Sequence, residues 1–81
     1  MYITGYDGAS IDWMRGGKAK AICHLQAATA PSPMPTTGAG ATGVWPTQDP
    51  ANTILAPGTD MLITGTSEVK ILNDQGSWDT L

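Results

Sequence analysis

The chain has 81 residues, a net charge of −3 and charged side chains at only 14% of its positions. This length allows one small domain, and the mild acidity argues against a protein that wraps nucleic acid, which needs a strongly basic face. With 13 Ile, Leu and Val residues and no Phe, the chain is poor in core formers as well as in charge, and this suits a subunit sheltered by neighbours better than a free monomer.

The chain divides by composition into three zones, which we interpret as parts of a single domain over residues 1–81. Residues 1–28 alternate apolar and polar side chains and predict a β-hairpin region. Residues 29–58 hold all six prolines and predict an extended arm, and residues 59–81 predict a β-meander.

In the first zone, residues 11–25 predict a β-hairpin. Gly16 and Gly17 supply the two positive-φ positions that a tight turn needs. This turn sets Trp13 opposite Lys20, and we expect a cation–π contact between the two side chains on a partly exposed face.

The second strand of this hairpin alternates between two faces, and one face is almost entirely apolar. We expect this face to lie against the core, with small side chains that allow close approach; it carries Ala19, Ala21, Cys23 and Leu25. A helix over residues 18–28 is the alternative, because Ala, Lys, Leu and Gln favour helices. Residues 2–6 are a further strand candidate.

The adjacent Cys23 and His24 are the chain's only cysteine and histidine. In a strand, neighbouring side chains point to opposite faces, so the pair cannot act as nucleophile and base; we expect a buried cysteine and a half-exposed histidine. One cysteine forms no intramolecular disulfide, and the pair completes no four-ligand zinc site without several carboxylates. We therefore expect no catalytic residues, no metal, no cofactor and no enzymatic activity.

The middle zone, residues 29–58, cannot build a helix or a central strand, and its PSPMP run favours polyproline II. A flexible linker usually carries charges or serine rather than large apolar side chains. We therefore expect the arm to lie along another protein's surface, with Trp45 as its anchor; a disordered loop is the alternative. The predicted partner-binding residues are Trp13, Met34, Val44, Trp45, Pro46, Ile54 and Leu55.

Within this zone, Gly38, Gly40 and Gly43 have the G-x-G-x-x-G spacing of a dinucleotide-binding loop. That loop needs a strand before it and a helix after it. Three prolines in five residues precede the glycines and Pro46 follows them, which disfavours both elements. We attribute the match to chance and predict no nucleotide site.

The third zone contains three strand candidates separated by turn-forming segments: DMLIT at 60–64, EVKIL at 68–72 and SWDTL at 77–81. With the hairpin and the strand at 2–6, they predict a mainly β fold. The expected architecture is a small antiparallel sandwich or partial barrel with a long irregular Pro/Gly-rich arm.

A small, weakly charged, β-rich chain with a Gly/Ala/Thr/Pro arm resembles the minor structural and decoration proteins of tailed-phage virions. The resemblance lies in the composition and layout of the whole chain. It implies a non-enzymatic cement role in the virion, with attachment to major capsid or other virion subunits as a homo-oligomer or on a lattice. A small cytoplasmic inhibitor or anti-defence protein that binds a host protein is the alternative.

No apolar run approaches the length of about 18 residues that suggests a membrane span. Residues 1–8 also lack the basic and apolar segments of a signal peptide. We therefore expect no membrane contact, and synthesis and assembly in a host cytoplasm.

Overall fold

The computed structural model describes residues 1–6, 12–13, 19–43, 45 and 49–81. In this part of the chain the prediction of a mainly β fold is confirmed. The described elements are β1 (Tyr2–Tyr6), β2 (Asp12–Trp13), β3 (Ala19–Ala21), β4 (Cys23–Ala27), a 3-10 turn (Pro50–Asn52), β5 (Thr53–Leu55), β6 (Asp60–Ile63), β7 (Glu68–Leu72) and β8 (Trp78–Thr80).

The strands form a five-stranded sheet in the order β1-β4-β6-β7-β8 and a three-stranded sheet in the order β2-β3-β5. The sheets are mixed rather than wholly antiparallel, because β3 pairs with β5 and β4 pairs with β6 in parallel. Parallel neighbours need a long crossover connection, and the proline-rich middle zone is that connection for both pairs. The described strands do not close into a barrel.

Residues 19–27 form one extended stretch that changes sheets at Ile22, with β3 on one side and β4 on the other. The predicted core face of this stretch is confirmed, and the alternative helix over residues 18–28 is wrong. The face is buried along its whole length: Ala19, Ala21 and Cys23 are 0% exposed and Leu25 is 1% exposed. The two-residue alternation of apolar side chains outweighs the helix propensity of the individual residues.

The hairpin before this stretch has a different register from the predicted one. Trp13 pairs with Ala19 and Asp12 with Lys20, so the predicted pairing of Trp13 with Lys20 is wrong by one residue. The expected cation–π contact between Trp13 and Lys20 depended on the predicted pairing, and the side chain of Trp13 lies outside the described part of the chain. The turn glycines lie outside the described residues.

The C-terminal meander is confirmed, since β6, β7 and β8 pair antiparallel in chain order. The turn between β7 and β8 is held by the side chain of Asn73, whose Oδ1 accepts from the backbone N–H groups of Gln75 and Ser77 at 2.9 and 3.0 Å. Gly76 completes the turn with a φ of 80°. Asn and Gly supply the local hydrogen bonds and the left-handed backbone that such turns require.

Both sheets contribute to one hydrophobic core. Thr59 is 0% exposed and connects the sheets at the point where the chain leaves β3 for β4. Its Oγ1 accepts from the N–H of Cys23 at 3.2 Å and lies 3.4 Å from the carbonyl oxygen of Ala21, to which it donates. The buried core cluster consists of Ile3, Ala21, Cys23, Leu25, Ala27, Leu55, Met61, Ile63 and Leu72.

The described part of the middle zone, residues 29–43, 45 and 49–58, packs on its own domain rather than leaving it as an arm. Its residues 53–55 form β5, which the proline and glycine content did not predict. The N–H of Ile3 donates to the carbonyl of Thr42 at 2.8 Å, and the indole N–H of Trp78 donates to the carbonyl of Pro35 at 2.9 Å. The crossover between the parallel strands runs over the core, and its side chains Met34 and Trp45 pack against the core cluster and are partly buried.

Candidate interaction surface

The five-stranded sheet has one face on the core and one face on solvent. In β4, the buried residues Cys23, Leu25 and Ala27 alternate with the more accessible His24 and Gln26. The strand β6 alternates in the same way, with Met61 and Ile63 buried. Since alternate side chains of a strand point to opposite faces, the second set lies on the side away from the core. We call this side the outer face.

A row of side chains that are apolar except for Gln26 crosses the outer face from one strand to the next, and we call it the apolar row. Tyr2 pairs with Gln26, Gln26 with Leu62, and Leu62 with Val69. Leu81 continues the row, because its N–H donates to the carbonyl of Val69 at 2.8 Å. With strands spaced about 4.8 Å apart, the row is roughly 19 Å long.

Three members of this apolar row are the exposed large hydrophobic side chains of the described part of the chain. Tyr2 is 44% exposed, Leu62 is 40% exposed and Leu81 is 77% exposed. Single exposed apolar side chains are ordinary on protein surfaces, but their alignment on one face of a sheet is typical of a contact surface. The outer face is therefore the strongest candidate for a protein interface.

A second row, parallel to the first, contains a hydrogen-bonded pair of polar side chains. Nδ1 of His24 lies 2.8 Å from Oδ2 of Asp60, and the two side chains are 49% and 34% exposed. Gly5 is the neighbour of His24 on β1, and a Cβ at this glycine would lie 3.7 Å from the imidazole ring. The pair gives the apolar row a polar border, as in most protein interfaces.

The contact between His24 and Asp60 was not predicted from the sequence. The two residues are 36 positions apart, and they meet because β4 and β6 pair in parallel with these two residues in register. No local spacing carries that information. Only a prediction of the parallel pairing could have placed the carboxylate beside the imidazole.

The predicted arrangement of Cys23 and His24 is confirmed. Cys23 is a free cysteine with 0% exposure, whereas His24 lies on the outer face. Burial raises the pKa of the Cys23 thiol to about 11, because a thiolate would be poorly solvated there. The thiol is therefore protonated at neutral pH and points away from the imidazole.

Of the predicted partner-binding residues, Leu55 lies in the core cluster with 4% exposure, so its side chain is not available to a partner. Trp45 and Met34 are partly buried and pack against the same cluster. The expectation that Trp45 stands clear of its own domain is therefore wrong, because the domain core offers its ring an apolar surface. A contact of Trp45 with a partner stays a prediction.

Of the other four predicted partner-binding residues, Ile54 alone has a described side chain. Ile54 is partly buried in β5 and pairs with Lys20 of β3. Trp13 is described only through its pairing in β2. Val44 and Pro46 lie outside the described residues. The structure thus brings Met34, Trp45 and Leu55 together on the core, and it places none of these three on the outer face.

The G-x-G-x-x-G segment has no strand–helix junction in the described residues. Gly38 to Ala41 form a turn, and Thr42 makes an isolated parallel bridge to Tyr2. Gly40 and Gly43 have φ values of 79° and 119°, so these glycines serve the turn geometry. A dinucleotide-binding loop is followed directly by a helix whose N-terminus receives the pyrophosphate. Among the described residues, the first helical segment after this loop is the 3-10 turn at Pro50–Asn52.

A groove of about 670 Å³ runs along the proline-rich part of the middle zone. Pro31, Pro33, Met34 and Pro35 line it together with small Ala, Gly and Thr side chains, and none of its lining side chains is ionisable. The polar side chains of its lining are those of Thr29, Thr36 and Thr37.

Within the described ranges, no three His, Cys, Asp or Glu side chains lie together as a metal site. None of the helical segments described is long and apolar enough to span a membrane. Comparison with protein families gave no match, and comparisons with curated proteins and with solved structures gave none either.

Proposed function

We propose that this protein is a non-enzymatic structural subunit of a larger assembly, and specifically a decoration (cement) or other minor protein of a phage virion. The observation that carries the proposal is the apolar row of the outer face, in which Tyr2, Leu62 and Leu81 expose large side chains on one side of a sheet. The resemblance in composition and layout to tailed-phage decoration proteins supplies the kind of assembly.

The charge distribution supports a role that depends on many copies rather than on one tight contact. Charged side chains occupy only 14% of the positions, so long-range attraction contributes little to attachment. A row of four apolar side chains is small for a standard interface, which buries about 800 Å² on each partner. On a lattice, small contacts of this kind add up because each copy is held by more than one neighbour.

The proposal is tested with purified particles of the phage that encodes this chain. Mass spectrometry of gradient-purified virions is expected to find the protein in a fixed ratio to a major capsid or tail subunit. A protein that is absent from the particles and is recovered from the infected cell bound to one host protein would refute the virion role and favour the inhibitor.

The same particles, prepared without the protein, test the outer face. Leu62→Lys places a charge in the middle of the apolar row, and Thr66→Lys places the same charge in the exposed turn after β6. Wild type and Thr66→Lys are expected to bind equally well. Leu62→Lys should bind roughly 30-fold more weakly, since a central interface side chain contributes about 2 kcal/mol. Equal binding of all three proteins would show that the outer face is not the surface that binds the particles.

A further inference from the structure

The five-stranded sheet has two edges, and only one of them is covered within the described part of the chain. At the β1 edge, the N–H of Ile3 donates to the carbonyl of Thr42, which occupies the outward-facing side of the strand. At the other edge, β8 is the last strand of the sheet. Its residues Asp79 and Thr80 are exposed, and Leu81 follows them at 77% exposure.

The hydrogen bonds between β7 and β8 show which backbone groups point out of this edge. Asn73 N–H donates to the carbonyl of Ser77, and Leu81 N–H donates to the carbonyl of Val69. Hydrogen-bonded pairs alternate along an antiparallel ladder. The backbone N–H and C=O groups of Ser77, Asp79 and Leu81 therefore point toward β7. The N–H and C=O groups of Trp78 and Thr80 therefore point away from the sheet, and no backbone group in the described residues bonds to them.

The side chain between these two residues decides which strand the edge accepts. In an antiparallel pair of two β8 strands in which Trp78 of each copy bonds to Thr80 of the other, Asp79 would lie directly opposite its own copy. Like charges at directly opposed positions destabilise a pair of strands. Asp79 receives one hydrogen bond, from Nδ2 of Asn73 at 2.9 Å, and no described cation forms an ion pair with it.

We propose that the open edge of β8 is a docking site for an extended strand of a different protein that carries Lys or Arg opposite Asp79. The partner strand would bond to the outward backbone groups of Trp78 and Thr80 and would cover Leu81, which ends the apolar row. Asp79 has two effects, because it opposes the pairing of identical copies and attracts a cationic strand. The identity of that strand as part of a virion subunit rests on the proposed function, whereas the edge chemistry does not.

The edge is tested with the chain itself as the probe strand. Wild type and Asp79→Lys are each expected to stay monomeric up to millimolar concentration, because each would oppose two like charges. A 1:1 mixture places opposite charges face to face and should associate at least about tenfold more tightly than either protein alone. Sedimentation equilibrium at low salt measures the three dissociation constants.

Two variants at Thr80 separate backbone pairing from other contacts. Thr80→Pro removes the outward N–H and leaves the bonds between β7 and β8 intact, whereas Thr80→Val keeps the N–H and loses only the hydroxyl that accepts from Nζ of Lys70. Each Thr80 variant takes the place of the wild-type protein in the mixture with Asp79→Lys. Thr80→Val should associate with Asp79→Lys as tightly as wild type does, and Thr80→Pro should not associate. Circular dichroism of each variant establishes that the sheet is folded.

Amide exchange in the mixture identifies the paired edge. The Thr80 amide should exchange freely in the wild type alone and become protected in the mixture, while the Asp79 amide, which already faces β7, should change little. A mixture that does not associate, or Thr80→Pro associating as well as Thr80→Val, would overturn the docking site. Neither result would bear on the binding of the outer face to particles, which tests the proposed function independently.

Discussion

The packing of the middle zone on its own domain predicts different costs for the same substitution at two glycines. Gly43 has a φ of 119°, and an added Cβ would collide with the side chain of Ile3 and lie 3.1 Å from the Ile3 carbonyl oxygen. Gly40 has a φ of 79°, and a Cβ added there would meet no atom within 4 Å. Both positions carry backbone strain for alanine, but only Gly43 adds a collision with the core.

The magnitudes follow from these two terms. Gly40→Ala should cost about 1 kcal/mol, the usual penalty of a left-handed residue with a Cβ. Gly43→Ala should cost about 3 kcal/mol, because a rarer backbone conformation and overpacking against Ile3 add together. A domain of this size has a total stability of about 4–12 kcal/mol, so the loss is large and still measurable in a folded population.

Urea denaturation followed by tryptophan fluorescence measures both free energies of unfolding. Ile3→Leu provides the control, since it removes the methyl group that the new Cβ would strike and conserves the side-chain volume. In a double-mutant cycle with Gly43→Ala, it should recover about 1 kcal/mol. If residues 36–43 left the domain in the free protein, neither glycine substitution would destabilise it, because Gly→Ala then acts only on the flexible chain. Equal, small effects at Gly40 and Gly43 would refute the packing of this zone.

Four further outcomes are expected. Cys23 should react with a thiol reagent at pH 8 only as fast as the protein unfolds, because it is buried and its pKa is raised to about 11. This pKa is higher in the folded protein than its ordinary value of 9.0, so the unfolded state loses the thiol proton first as the pH rises. The free energy of unfolding should therefore fall between pH 9 and 11, and Cys23→Ala should remove this pH dependence. A double-mutant cycle of His24→Ala and Asp60→Ala should give a coupling of only about 0.5 kcal/mol, because both side chains are partly exposed. Trp78→Phe keeps an aromatic ring on the core and loses the hydrogen bond to Pro35, so thermal unfolding should show a loss of about 1 kcal/mol.

The strands themselves were largely predictable, because their apolar residues alternate. The alternation from Ala19 to Leu25 identified the buried face, and the turn-rich segments identified the meander over residues 59–81. Each of these signals is local, since a strand shows its two faces in its own sequence. The mainly β class followed from such signals alone.

The pairings between distant strands were not predictable from local patterns. The parallel pairs of β3 with β5 and β4 with β6 join residues more than 30 positions apart, and nothing in the sequence of either strand specifies its partner. The contact of His24 with Asp60 depends on the second of these pairings. The predicted hairpin register was also wrong, since Gly16 and Gly17 indicated a pairing of Trp13 with Lys20, whereas the observed partner of Trp13 is Ala19.

The composition of the middle zone does not show which surface the zone lies on. Proline and glycine exclude regular structure over most of residues 29–58, and that part of the inference stands. The large apolar residues indicated correctly that the zone is covered by protein. The covering surface is the domain's own core, because a chain that returns to form parallel strands must pass over it.

The packing of the middle zone changes the energetics expected of an assembly subunit. An arm of 30 residues that became ordered only on binding would lose about 1 kcal/mol or more of backbone entropy per residue, and the interface would have to offset all of it. Here the zone is held by backbone hydrogen bonds to β1 and β3, so that loss belongs to folding. In the proposed assembly, the apolar row and the edge of β8 would be formed before binding, and a small contact would suffice where several copies bind together.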